Sequence, residues 1–207
     1  MDDELYGYGA VKEILTKHSD LGDGVEALLR YCKQRCPHPA WDEMAGLPYA
    51  ADADAMRAWL VGRLPIPDAV EVVWFAPWDV VTGLDLRGST SWSRDPEDWE
   101  WWYRDDFDAG GYESPVLAGM LDVARRAENP EDGPDIVGGV SELTDWVLAA
   151  GYVSLAAIWA MRTIEAAPVL GGRRELWAVS GFPDAVYGII LGRLTSSGFD
   201  AFTQTPQ

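Results

Sequence analysis

Residues 95–108 are the part of the chain richest in side chains able to do chemistry. The carboxylates of this block are Asp95, Glu97, Asp98, Glu100, Asp105, Asp106 and Asp108, and its rings are Trp99, Trp101, Trp102, Tyr103 and Phe107. Indole rings stack on sugar faces and paired carboxylates carry out glycoside hydrolysis, so one hypothesis is a carbohydrate-active or sugar-binding domain. Clustered carboxylates also suit a hard cation such as Ca²⁺, but the block lacks the alternating acids and central glycine of an EF-hand loop.

The same block has the composition of a protein interface. Tryptophan, tyrosine and arginine are the usual interface anchors, and an acidic rim steers a basic partner. The predicted partner-binding residues are Trp99, Trp101, Trp102, Asp105, Asp106 and Asp108. The structural alternative is that the tryptophans pack a sheet while the acids solvate a loop. Burial of all three tryptophans in the core would remove their role as anchors.

Both cysteines of the chain lie close together, in Cys32-Lys-Gln-Arg-Cys36, and His38 follows them. Residues four apart share one face of a helix, so this pattern could be a metal site or a redox pair. A matching fourth ligand cluster is absent, because the only other histidine is His18. We therefore favour two small residues on a buried helical face, and we predict no metal and no cofactor.

No arrangement of residues typical of an activated nucleophile is found in the sequence. Both histidines lie in the N-terminal third of the chain, and no Gly-x-Ser-x-Gly elbow is present. A Ser–His–acid triad would need one of those histidines to approach a distant serine. Glycine-rich loops with the spacing of a phosphate cradle are missing too. The sequence therefore predicts no catalytic residue and favours a protein that is not an enzyme.

The elements that would position the acidic block are predicted from hydrophobic periodicity. Val70 to Phe75 and Thr82 to Ser89 have the composition of two strands that pair as a hairpin. Ser114-Pro115 is expected to cap and begin a helix that runs to about Ala127. A long apolar helix is predicted over 136–165, and a second hairpin after it. In the N-terminal third, Asp52 is expected to cap the third helix.

These elements predict an α+β fold, in which a small antiparallel sheet is covered by helices and is preceded by an N-terminal helical segment. We expect one domain over 1–207, with the helical segment at 1–65 and the sheet plus its helices at 66–207.

The charge balance limits the partners of the protein. The formal net charge is -18 and the sequence pI is near 4.3. This field repels nucleic acid and anionic membranes and attracts a basic protein. The chain opens Met-Asp-Asp-Glu, unlike a basic signal-peptide start, and its longest apolar run, Val147 to Met161, is shorter than the ~20 residues of a membrane span. We expect a cytoplasmic protein, and the excess of Arg over Lys favours a GC-rich bacterial genome.

The order of motifs over about residues 70–199 resembles a group of known proteins. The apolar strand and hairpin lead through the acidic block to Tyr112-Glu-Ser-Pro115, then to Leu148-Ala-Ala-Gly-Tyr152, and finally to the pair Gly181-Phe-Pro-Asp184 and Leu191-Gly-Arg-Leu-Thr195. This resembles small acidic bacterial α+β proteins of the immunity-protein type, which belong to toxin systems. The resemblance implies a non-enzymatic protein that binds a toxin, and it transfers no functional residue.

Three functions are therefore considered. The first is an acidic cytoplasmic bacterial binding protein, of the immunity type, that neutralises a basic toxin partner. The second is a carbohydrate-active or sugar-binding domain that uses tryptophans and carboxylates. The third is a structural domain with neither activity.

Overall fold

A computed structural model describes residues 7–78, 82–93, 106–128, 139–181 and 188–201. The helices are α1 (Tyr8–Lys17), α2 (Leu21–Arg35), α3 (Ala40–Met44), α4 (Tyr49–Val61), α5 (Pro115–Ala127), α6 (Val140–Thr163) and α7 (Ala166–Leu170). The strands are β1 (Val72–Pro77), β2 (Gly83–Ser89), β3 (Phe107–Glu113), β4 (Glu175–Ser180), β5 (Ile189–Thr195) and β6 (Gly198–Ala201).

The strands form one six-stranded sheet in the order β3-β2-β1-β4-β5-β6. The predicted α+β class is confirmed, and both predicted hairpins, β1–β2 and β4–β5, are antiparallel pairs. The sheet is larger than expected and it is mixed, because β1 and β4 run parallel. Strand β3 ends at the same end of the sheet as β1, and the helices that follow return the chain to the opposite end, where β1 begins. Strand β4 therefore runs parallel to β1.

Successive side chains along each strand point to opposite faces of the sheet, and the two faces have different surroundings. Val73, Phe75, Leu86 and Leu176 point to one face and join the main core together with the helices. The same core contains residues of α1 and α2, so the N-terminal helices pack into it. On the opposite face, which we call the far face, a second buried cluster contains Val72, Trp177 and Val179, packed against Trp92 and Ile190.

Helix α6 crosses the middle of this core. From the sequence alone, Gly151-Tyr152 allows either two helices or one kinked helix. Helix α6 continues through this point, and its irregularity is a π-helical segment at Thr144–Ala149. Gly151 instead allows close packing, since a Cβ there would lie 2.6 Å from Leu28 Cδ1 on α2. The contact is reciprocal: a Cβ on Gly24 of α2 would lie 2.6 Å from Leu155 Cδ1. Each helix therefore presents a glycine to a leucine of the other.

Helix α6 is longer than the apolar run expected from the sequence. It has 24 residues, and by length and hydropathy alone it could cross a membrane. Its most apolar window is 83% buried inside the protein, which is what the central helix of a packed core also shows.

The N-terminal helices differ from the sequence prediction in their boundaries. The sequence predicts a break at Asp20–Gly24 and a second helix from about Val25. Helix α2 begins earlier, at Leu21, because the Asp20 carboxylate accepts from the Gly22 and Asp23 N–H groups. Residues 37–50 are predicted from the sequence to be a loop around Trp41, but a short helix, α3, lies within them. The Trp41 ring is buried, and its Nε1–H donates to the Cys36 carbonyl over 2.7 Å. Burial of this one large ring orders a segment that local sequence describes as irregular.

Helix α5 begins as predicted. The Ser114 Oγ accepts from the Leu117 N–H over 3.1 Å, and Pro115 is the first residue of the helix. The two adjacent glycines Gly110-Gly111 predict a break in the chain, so strand β3 is not expected from the sequence. Gly110 has φ +80° where the pairing of β3 with β2 is irregular, and the strand continues past it to Glu113.

Candidate functional site

The sequence placed the partner-binding site in the acidic and aromatic block. Trp99, Trp101, Trp102 and Asp105 lie outside the described residues, so their role as anchors stays a prediction. Asp106 and Asp108 are described, and both are exposed. They stand just before and at the start of β3, which is an edge strand of the sheet. The structure thus brings the described part of the predicted site to one edge.

Asp106 is held in place by the end of β2. Its Oδ2 accepts from the Thr90 N–H over 2.8 Å, from the Thr90 hydroxyl over 2.7 Å and from the Ser89 hydroxyl over 3.5 Å. These bonds fasten the chain entering β3 to the chain leaving β2. Asp106 therefore positions the acidic edge, and only part of its hydrogen-bonding capacity remains for a partner.

Asp108 is fixed by its own turn. Its Oδ1 accepts from the Gly110 N–H over 2.7 Å, and the positive φ of Gly110 allows this short loop in the strand. In the sheet register Asp108 stands opposite Arg87, whose guanidinium pairs with Asp85 over 3.2 Å. The Asp108 carboxylate is thus exposed on the far face next to a half-buried ion pair.

Trp78 is a residue of this edge that sequence reasoning did not select. Its Nε1–H donates to Asp85 Oδ1 over 2.9 Å. Its ring covers two glycines, since a Cβ on Gly111 would lie 2.5 Å from Trp78 Cζ2 and one on Gly83 would lie 2.8 Å from Cζ3. Glycines inside strands often mark a close approach, and this signal could have pointed to Trp78. The half-exposed ring is thus bonded to an acid of β2 and lies against a glycine of β3.

Asp52 lies beneath the same edge and does not cap its helix as predicted. Helix α4 starts at Tyr49, so Asp52 stands in the first turn, and the residue as a whole is 5% exposed. It accepts from the Tyr112 hydroxyl at 2.7 Å, the Ser114 hydroxyl at 2.6 Å and the Tyr152 hydroxyl at 2.6 Å. A carboxylate buried this deeply requires such donors.

This cluster joins α4, β3, α6 and the start of α5 through one side chain. Burial, followed by the adjacent Asp52 carboxylate, raises the pKa of Tyr112 and of Tyr152 above the ordinary tyrosine value. Both phenols therefore stay protonated and keep donating. Since the carboxylate is closed to solvent and its donors are supplied by the chain, we assign the cluster a structural role: it anchors Tyr112, and with it the edge strand.

Both cysteines pack in or against the main core, in keeping with the interpretation of two small residues on a buried helical face. Cys32 is fully buried in the main core, and burial raises the pKa of its thiol to about 12. His38 Nδ1 accepts from the Ala40 N–H over 3.1 Å, so one ring nitrogen serves the start of α3. Among the described residues no group of three or more histidines, cysteines and acids could hold a metal ion.

No protein-family model, no curated protein and no solved structure matches the chain significantly.

Proposed function

We propose that this chain is an acidic bacterial protein of the cytoplasm that binds and neutralises a basic protein partner, in the manner of an immunity protein. The observation that supports this most directly is the acidic edge of the sheet, where Asp106, Asp108 and Glu113 are exposed on or beside β3. We call this surface the β3 edge.

Long-range charge favours the same kind of partner. The formal net charge of -18 raises the local concentration of a cationic protein around the whole molecule. The β3 edge then adds fixed carboxylates, since Asp106 and Asp108 are already held by hydrogen bonds. Carboxylates that are ordered before binding lose little conformational entropy in the complex, which favours a tight and specific contact.

The genes next to this coding sequence provide the test. Each flanking open reading frame is expressed in a heterologous bacterial host, alone and together with this chain. We expect one product to be basic, to arrest growth alone, and to lose that effect when the chain is present. The proposal is wrong if none of the flanking products is toxic, or if the chain leaves their toxicity unchanged.

A pair of matched variants tests the β3 edge itself with the purified partner. Asp108→Asn with Glu113→Gln removes two charges, and the Asn carbonyl can still accept from Gly110. Glu26→Gln with Glu165→Gln removes two exposed charges elsewhere, so the two variants have the same net charge. We expect the first to associate about threefold to tenfold more slowly at low salt and the second to change little. Equal effects of the two variants would place the contact elsewhere.

A sugar-binding module is the second candidate, and Trp78 is the observation in its favour. A half-exposed indole beside the Asp85–Arg87 pair combines a stacking surface with hydrogen-bonding groups. Titration of the protein with soluble oligosaccharides, followed by tryptophan fluorescence, should then give a saturable change that Trp78→Phe abolishes. A titration without change would remove this candidate.

A further inference from the structure

Strand β3 has one side without a partner strand in the described structure. It pairs with β2 through residues 107–113, and among the described strands no other pairs with it. An edge strand presents backbone N–H and C=O groups that can pair with another extended chain. In an antiparallel pair, successive residues direct their backbone N–H and C=O groups alternately toward the neighbouring strand and away from it. This alternation shows which residues of β3 direct these groups outward.

The end of β3 fixes this alternation. The Ser114 N–H donates to the Thr82 carbonyl over 3.0 Å, so these two residues form a bonded pair in the register that places Glu113 opposite Gly83. The next bonded pair contains Tyr112, whose polar backbone groups therefore point to β2. The backbone groups of Gly111 and Glu113 consequently point away from the sheet.

Asp108 has the same orientation. The Trp78 N–H donates to the Gly83 carbonyl over 3.1 Å, and this bonded pair directs the backbone of Arg87 to β1. Asp108 stands opposite Arg87 on β3, so its own N–H and C=O cannot be directed to β2. Asp108, Gly111 and Glu113 are also the exposed residues of this strand, while Tyr112 is buried.

The side chains at these outward positions favour one kind of strand. Asp108 and Glu113 lie on the far face, with Gly111 between them and the Trp78 ring over it. In an antiparallel partner, the residues bonded to outward positions carry side chains on that same face. Basic side chains there would meet Asp108, Glu113 and the face or edge of Trp78.

We propose that the β3 edge binds its partner by antiparallel strand addition, to an extended segment of the basic partner that carries Lys or Arg at alternate positions. The residues whose amides bond to Gly111 and Glu113 are the basic ones. This inference rests on the proposed function, because it names how the same edge recognises its partner.

The probe is an acetylated and amidated octapeptide that alternates lysine and threonine. Two derivatives carry N-methyl groups on the backbone, one at every lysine and the other at every threonine, and all three have equal charge. Binding to the full-length protein is measured by fluorescence anisotropy at low and physiological salt. Amide exchange at Gly111 and Glu113 is followed by NMR.

Strand addition predicts different affinities for the two N-methylated derivatives. Methylation at lysine removes the amides that face β3, so we expect binding about tenfold or more weaker than that of the parent peptide. Methylation at threonine removes only outward amides, so we expect affinity within about threefold of the parent. The parent should also slow amide exchange at Gly111 and Glu113, and the Asp108→Asn, Glu113→Gln variant should bind it more weakly than the Glu26→Gln, Glu165→Gln control.

Two results would overturn strand addition. If the derivatives bind equally well and exchange at Gly111 and Glu113 is unchanged, the acids attract cations without strand pairing. If none of the three peptides binds, the edge does not accept a basic strand. Neither result decides whether the chain neutralises a toxin, because growth rescue by co-expression with the flanking genes tests that separately.

Discussion

The hydroxyl of Tyr152 donates to the carboxylate of Asp52 over 2.6 Å, across 100 residues of chain. Tyr112 and Ser114 donate to the same carboxylate from another part of the fold. One buried carboxyl group thereby links helix α4, the edge strand and the central helix.

Loss of this carboxylate should destabilise the protein strongly. In Asp52→Ala three buried hydroxyls lose their acceptor at once, so we expect the free energy of unfolding to fall by about 3 kcal/mol or more. Urea denaturation measures this. Asp54→Ala is the control, because Asp54 is exposed on the same helix and accepts one hydrogen bond, from Trp159 Nε1–H over 3.2 Å, so its loss should cost about 1 kcal/mol or less. A cost for Asp52→Ala as small as that of the control would contradict the role of the cluster.

The reciprocal packing of α2 and α6 predicts an unfavourable effect of a single methyl group. Gly151→Ala places a Cβ against the Leu28 side chain in a filled core, so we expect a loss of about 1 to 3 kcal/mol despite the better helix propensity of alanine. Gly9→Ala is the matched control, since a Cβ at this helical position meets nothing within 4 Å. It should be neutral or stabilising by up to about 1 kcal/mol. The unfolding temperatures of the two variants, each compared with that of the original protein, measure these changes in stability.

Asp145 should give the protein a measurable pH dependence of stability. Burial, then the charge of Glu128, raises the pKa of Asp145 from 3.8 to about 6, while Arg125 opposes the shift. The folded state therefore binds the proton more tightly than the unfolded state. The stabilisation is fully present below about pH 4 and is lost as the pH rises through about 6.

Asp145→Asn removes this titration. Relative to the original protein, the variant should gain stability between about pH 4 and pH 7, by about 1 kcal/mol after allowance for solvent screening of a half-exposed carboxyl. Urea denaturation at four pH values measures the difference, with Glu26→Gln as an exposed control. A difference between variant and original that does not change with pH would show that Asp145 titrates normally.

The two cysteines should differ in reactivity. Cys32 is closed to solvent and burial raises the pKa of its thiol to about 12, whereas Cys36 is half-buried at the end of α2. At pH 8 a thiol reagent should therefore modify one cysteine in the folded protein and both after unfolding. Cys36→Ser should abolish the reaction of the folded form. Modification of Cys32 at a rate similar to that of Cys36 would show that this part of the core opens readily.

Much of the architecture could be predicted from the sequence, because local patterns determine it. Strands β1 and β2 follow from a short β-branched and aromatic run next to a turn, and Ser114-Pro115 marks the start of α5 by its capping chemistry. The length and apolar character of 136–165 indicated a helix buried on most sides, which α6 is. The acidic character of residues 95–108 was also visible, since charge depends on composition alone, but their place next to an edge strand was not.

Tertiary structure alone decided the remaining features. Asp52 looks like a helix cap because capping depends on neighbours in sequence, whereas its real partners come from distant strands and helices. Strand β3 crosses Gly110-Gly111 because its pairing with β2 outweighs the low strand propensity of glycine. Trp78 became part of the site when two glycines on different strands were brought beneath its ring. For Asp52 and for β3 the deciding interaction joins segments that periodicity and capping patterns treat separately, and for Trp78 it needs Gly111 of β3 as well as the nearby Gly83.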